Sequence, residues 1–440
     1  MPMLDYYFRL ALLSLKRNSM LTALVVLAIA LGVALTMAAY SVLFVMSRDP
    51  IPEKSNQLYA VQLDNGGPKS RQPGDNEPSS QLTYRDAKGL LDAQKAVRQV
   101  AMHQISPTLT PSDPNLKPYA VAGRATSGDF FKMFNVPMLY GGGWTTSAEK
   151  SLSPVVVLSK RLNQKLFRGE NSIGKTLSLD QAIYQVVGVM DDWDPKPRFY
   201  DVIGGQNFDE GEEIYLPLPL TIDREMSTSE YEFCDAGPRG DTFATLIQSE
   251  CVWFQFWVEL PASSDVVTYR NFLTNYAKEQ QNTGRFDWAP NVRLRSVPEW
   301  LIAQKVIPND ARLSVLVACS FFVVCMVSAM GLMLAKAFSR SSELGIRRAL
   351  GASAQDIFTQ SMVESIVIGM LGALLGLALT ATALWTMRQL FPRGLSRIAL
   401  LNVQLSGVTI LLALVAALVV GLYPAWRSMQ VAPALQMKGG

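Results

Sequence analysis

The stretch Met20–Met46 reads MLTALVVLAIALGVALTMAAYSVLFVM and contains no charged residue. Three more charge-free stretches follow much later in the chain, at Leu313–Ala335, Ser365–Met387 and Ile398–Trp426. A helix rises about 1.5 Å per residue, so each stretch is long enough to cross a hydrocarbon core of roughly 30 Å. The pattern predicts an α-helical membrane protein with four transmembrane helices and a large soluble domain between the first and the second.

Basic residues outside these stretches are distributed unevenly. Nine lie in segments that share one side of the membrane in this topology: Arg9, Lys16, Arg17, Lys336, Arg340, Arg347, Arg348, Arg427 and Lys438. Three lie in the connection between the third and fourth stretches: Arg388, Arg393 and Arg397. Because lysine and arginine are enriched in cytoplasmic loops, both termini are predicted inside the cell and the large domain outside.

These two patterns predict how the chain is divided. The segments are a cytoplasmic N-terminal segment 1–19, transmembrane helix 20–46, an extracytoplasmic domain 47–312, transmembrane helix 313–335, a cytoplasmic segment 336–364, transmembrane helix 365–387, a short outer loop 388–397, transmembrane helix 398–426 and a cytoplasmic tail 427–440. The first stretch could instead be a cleaved signal peptide. It is longer than the roughly 7–15 residues of a signal h-region, which favours a retained anchor.

Composition is consistent with this division and excludes some functions. The totals of 49% hydrophobic and 18% charged residues average apolar spans with a region of ordinary soluble character. A net charge of +3 is too small to indicate a nucleic-acid partner. The chain has one histidine, His103, and the outer domain shows no catalytic or metal-ligand constellation. We therefore predict no catalytic, cofactor-binding or metal-binding residues on this chain.

The four cysteines fall into two pairs by compartment. Cys319 and Cys325 lie inside the second stretch and are interpreted as small packing residues. Cys234 and Cys251 are the two in the outer domain. Because that compartment is oxidising, we predict a disulfide between them. Zinc is the weaker alternative, since no Cys-x-x-Cys spacing is present.

The outer domain alternates strand and helix patterns between residues 120 and 190. The predicted elements are an extended segment from Tyr119–Ala122, a helix at Ser127–Phe134, a strand at Pro154–Leu158, a helix at Ser159–Phe167 and a strand at Tyr184–Val189. Such alternation predicts an α/β or α+β domain. The large domain between the first two spans is therefore expected to be α+β.

Two later segments of this domain allow more than one interpretation. Asp191–Glu250 is rich in Pro, Gly, Asp and Glu; a calcium loop is conceivable, but the ligand spacing is missing, which favours a solvated surface. Val252–Leu260 is a predicted strand that carries four aromatic residues. A packed strand is favoured there over a ligand-binding wall.

A phosphate-loop pattern, G-x-x-x-x-G-K-[ST], occurs at Gly169–Thr176. A true phosphate loop runs from a strand into a helix, whose N-terminus faces the phosphate. In this chain the predicted helix Ser159–Phe167 comes before the pattern and the strand Tyr184–Val189 comes after it. We therefore interpret the pattern as a turn and predict that it binds no nucleotide.

The segment Glu343–Ser353 reads ELGIRRALGAS and predicts a short cytoplasmic helix. Glu343 suits the first turn and Arg347 and Arg348 the last, and Gly351 suits the end of the helix. Ile346, Ala349 and Leu350 share one face by spacing, and Ser353 with Asp356 predicts a capping box for the next helix. The residues alone leave two interpretations open. The helix could transmit a push between two spans, or it could lie among lipid headgroups.

This segment resembles the hallmark of the FtsX/MacB-type ABC transporter permeases. Further stretches are similar to that family: Lys16–Asn18, Val155–Ser159, Leu166–Phe167, Ile173–Lys175, Val186–Val189 and Tyr423–Ala425. The resemblance implies a MacB-like periplasmic core domain at 47–312, an FtsX-like transmembrane domain and a multi-pass location in the bacterial inner membrane.

The resemblance also implies a function and a site. In this family the cytoplasmic helix docks onto an ATPase, which assigns the coupling role to Glu343, Leu344, Gly345, Ile346, Arg347, Arg348, Ala349, Leu350 and Gly351. MacB carries its ATPase before the first span, whereas about 19 residues precede Met20 in this chain. We therefore expect a separate ATPase dimer that binds ATP and Mg²⁺.

The implied activity is efflux of a substrate from the periplasmic side, driven by motion of the outer domain. The implied partners are a second copy of the permease or a homologous one, the lipid bilayer, a periplasmic adaptor and an outer-membrane channel. The alternatives are lipoprotein release, signalling to a cell-wall hydrolase, and a membrane scaffold or sensor that transports nothing.

Overall fold

The computed structural model describes residues 10–11, 13–14, 17–65, 76–111, 117–203, 207–229, 232–234, 242–287, 289–390 and 403–429. The chain forms two compact units. We call Met1–Ser47 with Ile307–Gly440 the membrane unit, and Arg48–Val306 the insert unit.

Long helices dominate the membrane unit, whereas short helices and strands alternate in the insert unit. The helices are α1 Ser19–Met46, α2 Tyr84–Ala93, α3 Phe130–Met133, α4 Thr146–Lys150, α5 Lys160–Phe167, α6 Leu218–Asp223, α7 Phe243–Gln248, α8 Ser263–Asn282, α9 Val297–Ala303, α10 Asn309–Ser339, α11 Ser341–Ala349, α12 Ala354–Leu390 and α13 Val403–Met429. The strands are β1 Leu58–Leu63, β2 Leu82–Thr83, β3 Arg98–Ile105, β4 Thr108–Thr110, β5 Tyr119–Ala120, β6 Gly123–Thr126, β7 Met138–Gly141, β8 Val155–Leu158, β9 Thr176–Leu179, β10 Ala182–Met190, β11 Ile214–Pro217, β12 Val252–Glu259 and β13 Val292–Ser296.

Within the described residues, four helices of the membrane unit are long and apolar enough to span a bilayer: α1, α10, α12 and α13. This confirms the predicted four-span fold class. The helices extend beyond the charge-free stretches, because a helix can continue past the hydrocarbon core into the polar interface. Thus α10 begins at Asn309 and α12 at Ala354. The predicted outer loop from residue 391 onward, and the start of the fourth stretch at Ile398, lie outside the described residues.

The membrane helices pack through a regular apolar face and through close approaches at glycine. Val25, Ile29, Val33 and Met37 of α1 recur every four residues and belong to one buried apolar cluster with side chains of α10, α12 and α13. At Gly421 of α13, an added Cβ would overlap Ser365 Oγ of α12. Small residues permit this approach, which is typical of helix packing in membranes.

The two free cysteines of α10 differ in their environment. Cys325 is buried, as expected of a packing residue, whereas Cys319 is exposed. Cys325 thus agrees with the expectation of packing, and Cys319 stays a prediction in this respect.

The insert unit is built on a mixed sheet. Among the described residues its strand order is β13-β1-β12-β3-β6-β11-β8-β10-β9-β4-β5, with β2 beside β12 and β7 beside β10. Both faces of the sheet are covered. In β8, Val155 and Val157 belong to one apolar cluster, and Val156 and Leu158 belong to the other, as the two-residue period of a strand requires. Helices and mixed strand pairing confirm the predicted α+β domain.

Most local predictions in this unit agree with the structure. The strand Val155–Leu158 is followed by α5, and Ser159 accepts a hydrogen bond from the Leu162 amide at 3.2 Å as the N-cap. The predicted helix Ser127–Phe134 contracts to the single turn Phe130–Met133. Every residue of β12 is buried. That strand is therefore a packed core strand and not a ligand-binding wall.

The solvated surface predicted for Asp191–Glu250 is wrong for the middle of that segment. Strand β11 lies inside the sheet, between β6 and β8, and Arg198, Asp201 and Glu212 beside it are buried. The prediction was wrong because charged residues normally lie on the protein surface. In this segment opposite charges neutralise one another inside the core, so a polar composition does not mean exposure.

Candidate functional site

The predicted coupling helix is present as α11, and its end is formed as the sequence suggests. Gly351 has φ +100°, a conformation that glycine adopts without strain. The Gly351 amide donates to the Arg348 carbonyl at 3.1 Å and the Ala352 amide to the Arg347 carbonyl at 3.1 Å, which is the Schellman arrangement. Ser353 and Asp356 then cap α12 reciprocally, at 3.0 Å and 3.1 Å.

The polar side of α11 is bonded to other helices of the membrane unit. Glu343 forms ion pairs with Arg17 at 2.9 Å and with Arg347 at 2.8 Å. Arg347 also donates to Gln360 Oε1 of α12 at 3.2 Å, and Arg348 donates to the Met429 carbonyl of α13 at 3.0 Å. These charged side chains are half-exposed, and their bonds also fix the helix against the neighbouring segments of the membrane unit.

The apolar side of α11 is exposed. Leu350 is 82% exposed and Ile346 is 62% exposed, and Ala349 beside them is exposed as well. Gly345 is buried. The side chain of Leu344 lies outside the described residues. A helix normally turns its apolar face toward its own protein, so this reversed arrangement leaves Ile346, Ala349 and Leu350 available to a partner. We call these three residues the apolar edge.

Next to α11 lies a group of buried and half-buried charges that sequence reasoning did not identify as a site. Lys336 of α10 is 3% exposed, and its Nζ lies 2.6 Å from Glu364 Oε1 of α12. Arg340, at the junction of α10 and α11, lies 3.4 Å from Glu364 Oε2. We call Lys336, Arg340 and Glu364 the membrane cluster. Its sequence signal was Glu364, an isolated carboxylate at the border of a charge-free stretch.

A second buried charge group, in the insert unit, consists of Arg124, Arg198, Asp201 and Glu212, and we call it the insert cluster. Arg124 forms ion pairs with both Asp201 and Glu212, and Arg198 lies 3.0 Å from Glu212. The hydroxyls of Tyr200 and Tyr215 donate to Glu212 at 3.0 Å and 3.2 Å. Burial alone would raise the pKa of Glu212, but the charges of Arg124 and Arg198 lower it to about 2. This carboxylate therefore stays ionised inside the core.

The single histidine is close to this group but serves packing. The ring of His103 lies 4.7 Å from that of Trp253 and 5.1 Å from that of Phe254. Burial lowers the pKa of His103 to about 3, so the ring is neutral at ordinary pH. It is an aromatic core residue.

The predicted disulfide is formed between Cys234 and Cys251. Cys251 directly precedes β12, and Phe233 forms a bridge with Val252, so the bond joins this strand to the preceding loop. Glu232 lies beside the pair. Because both sulfurs are bonded to each other, they are not thiolates, which are the form of cysteine that binds zinc.

The phosphate-loop pattern forms a turn, as predicted. It lies between α5 and β9, and a strand follows it instead of a helix. Gly169 and Gly174 have positive φ values of +80° and +83°, and Lys175 pairs with Glu170 at 3.3 Å. The lysine therefore belongs to the turn, and the element that follows this turn is a strand.

Comparison with known families agrees with this architecture. Residues 22–271 match the family model of the MacB-like periplasmic core domain, and residues 315–433 match that of the FtsX-like permease C-terminal domain. The chain therefore belongs to the MacB/FtsX-type permease family. It is an ABC transporter permease that spans the bacterial inner membrane several times, and its insert unit lies in the periplasm. The connection between the second and third spans, which contains α11, is then cytoplasmic.

Similar proteins include two export proteins. The macrolide export ATP-binding/permease protein MacB of Salmonella typhi is 24% identical over 392 residues, covering 88% of this chain and 53% of that protein. MacB 2 of Yersinia pestis bv. Antiqua (strain Antiqua) is 22% identical over 438 residues, covering 97% of this chain and 57% of that protein. The chain thus spans about half the length of the curated relatives it matches.

Solved structures with some similarity include two bacterial domains. The periplasmic region of MacB from Actinobacillus actinomycetemcomitans has a TM-score of 0.37 and 14% identity, over 59% of this chain and 96% of that one. A domain of a putative permease protein from Porphyromonas gingivalis has a TM-score of 0.36 and 16% identity, over 57% of this chain and 92% of that one.

Proposed function

We propose that this chain is a permease subunit that couples ATP hydrolysis by a separate cytoplasmic ABC ATPase to motion of its periplasmic unit, driving a substrate outward from the periplasmic side. The observation that carries the proposal is the apolar edge of α11, exposed on a helix whose charged residues are bonded to the membrane helices. A helix held in this way can receive a push on its exposed side and pass it on.

The apolar edge has the features of a docking surface. Protein interfaces combine a buried apolar centre with a polar rim, and Ile346, Ala349 and Leu350 are bordered by Glu343 and Arg347 on the same short helix. ATP and Mg²⁺ would be bound by the partner. The ATPase works as a dimer in this proposal, so a second permease copy or a homologous permease completes the complex.

The direction of transport is supported by the names of the relatives, which describe macrolide export. A periplasmic adaptor and an outer-membrane channel would continue the path of the substrate. Lipoprotein release is the second candidate activity within the same family. A signalling scaffold that transports nothing is the third, and the presence of a co-purifying ATPase separates it from the first two.

The test is a pair of substitutions at one position, Leu350→Asp and Leu350→Lys. A charge placed in an apolar protein contact costs several kcal/mol without a partner. Since about 1.4 kcal/mol is a factor of ten, we expect both variants to weaken ATPase association at least about tenfold. The measurement is the amount of ATPase that co-purifies with the full-length permease in mild detergent.

A lipid-bound helix would give a different pattern. Lysine is well tolerated at an anionic membrane surface and aspartate is not, so only the aspartate variant would lose function and neither variant would release the ATPase. Ile302→Asp is the matched control, because Ile302 is 73% exposed on the periplasmic unit. Retention of the ATPase by both Leu350 variants would contradict the docking role.

A further inference from the structure

The membrane cluster connects more helices than its three side chains alone suggest. Besides its ion pair with Glu364 of α12, Lys336 of α10 donates to the Thr22 hydroxyl of α1 at 2.8 Å. Charged side chains buried in protein are costly unless they are paired and hydrogen-bonded. Lys336 therefore ties three of the four membrane helices together at one point.

Arg340 forms the second connection of the cluster. It lies between the last residue of α10 and the first residue of α11. Its guanidinium donates to the Ser14 carbonyl at 2.9 Å and to the Ser14 hydroxyl, and Ser14 donates in turn to Glu364. Any displacement of α11 must move Arg340, which is bonded both to the segment before α1 and to α12.

The cluster lies beside a small cavity with a mixed polar and apolar lining. It has a volume of about 60 Å³, and its lining includes Lys336, Arg340, Arg347, Gln360 and Glu364. A cavity of this size with several polar groups in its lining accommodates ordered water. Water can replace a direct contact at little cost, so the pairing around Glu364 can change without leaving a charge unsolvated.

We propose that Lys336, Arg340 and Glu364 form the joint through which movement of the coupling helix reaches the first and third membrane helices, with Glu364 as its central positioning residue. Among the described residues, Glu364 is the carboxylate paired with both cations. Loss of its charge would leave the buried Lys336 and the half-buried Arg340 without this counter-charge. This inference rests on the proposed function, because the movement originates at the ATPase.

The experiment measures hydrogen–deuterium exchange of the full-length permease with its co-purified ATPase, with and without ATP and vanadate. In the wild type, nucleotide should change exchange in α11, in the first half of α1 and in the first half of α12. In Glu364→Gln the ATPase should remain bound, because the apolar edge is unchanged. The nucleotide response should persist in α11 and be lost in α1 and α12. Ser365→Ala is the control, since Ser365 lines the same cavity and should respond like the wild type.

A second variant covers the case in which Glu364→Gln does not fold. Arg340→Gln leaves Lys336 and Glu364 as a balanced pair, and it should also lose the response in α1 and α12. A merely structural role would lower thermal stability but leave the response of the folded protein intact. A wild-type exchange response of α1 and α12 in either variant would contradict the proposed role of the membrane cluster. Absence of an ATPase from the wild-type preparation would instead overturn the proposed function.

Discussion

The insert unit and the membrane unit each bury a cluster of charges, but the two clusters are balanced differently. The insert cluster pairs two arginines with two carboxylates and adds two tyrosine hydroxyls. The membrane cluster places two cations on one carboxylate, beside a cavity of about 60 Å³. The first arrangement is neutral and closely packed, and the second is neither.

This difference separates a group suited to stability from a group suited to movement. Every ion of the insert cluster is neutralised locally, so rearrangement would break several bonds at once. In the membrane cluster one carboxylate serves two partners, so one contact can lengthen while the other persists. Buried charge alone therefore does not indicate function; the balance of charge and the space around it must be considered.

The largest expected effect is on the insert cluster. Glu212→Gln leaves Arg124 and Arg198 with one carboxylate between them, and breaking a buried ion pair in this way costs about 3–5 kcal/mol. The measurement is urea unfolding of the detergent-solubilised protein, monitored by its tryptophan fluorescence. Glu210→Gln is the control, because the Glu210 side chain is 44% exposed and surface ion pairs contribute about 0–1 kcal/mol. Equal free energies of unfolding for the two variants would show that the insert cluster does not stabilise the insert unit.

An intermediate effect is expected from pH. His103 keeps its pKa at about 3 in the folded protein, whereas an unfolded histidine titrates near about 6.5. The unfolded state therefore binds more protons below about pH 6.5, and stability falls as the pH falls. Between about pH 6.5 and 5.5 the loss should be about 1 kcal/mol. His103→Phe should abolish this part of the pH dependence, because the chain has one histidine. The measurement is the same unfolding assay at pH 6.5 and 5.5 (about one pH unit apart). An equal loss of unfolding free energy in the variant would show that His103 is not the group responsible.

The smallest effect is expected in the membrane cluster. Lys336→Met removes one of two cations and leaves Arg340 and Glu364 as a balanced pair, so no uncompensated charge remains. We expect the free energy of unfolding in detergent to change by no more than about 1 kcal/mol, in contrast to the cost of breaking a balanced pair. The measurement is the same urea unfolding assay. If Lys336→Met lost as much free energy of unfolding as Glu212→Gln, the two clusters would contribute equally to stability. The distinction drawn between the insert cluster and the membrane cluster would then be wrong.

The sequence predicted the parts of the fold that depend on local pattern. Charge-free runs gave the spans, Ser159 gave the start of α5, and Gly351 gave the end of α11, because each acts within a few residues of itself. The insert cluster could not be predicted, since Arg124 and Glu212 meet only after β6 and β11 have paired in the sheet. Their charges indicate a surface when only neighbours in sequence are considered.

The coupling helix shows the same limit at a functional site. Its position and length followed from Glu343, Arg347 and Gly351, but the orientation of its faces did not. Whether Ile346 and Leu350 face the protein or the outside depends on partners such as Gln360 and Met429, which lie on other helices. In the sequence Lys336 and Arg340 mark only the cytoplasmic side, because no local pattern indicates that they meet Glu364.

The order of strands in the insert unit has a consequence for the biogenesis of the protein. Strand β1, near the start of the unit, pairs with β12 and β13, which are its last two strands. Strand β1 is exported early, but it can pair with β12 and β13 only after residues up to Ser296 have crossed the membrane. Pairing between distant segments is slow, and unpaired strand edges are prone to aggregation. Export of this chain thus passes through a stage at which α1 is already anchored while the sheet that follows it is still open, and that stage is where periplasmic chaperones would act.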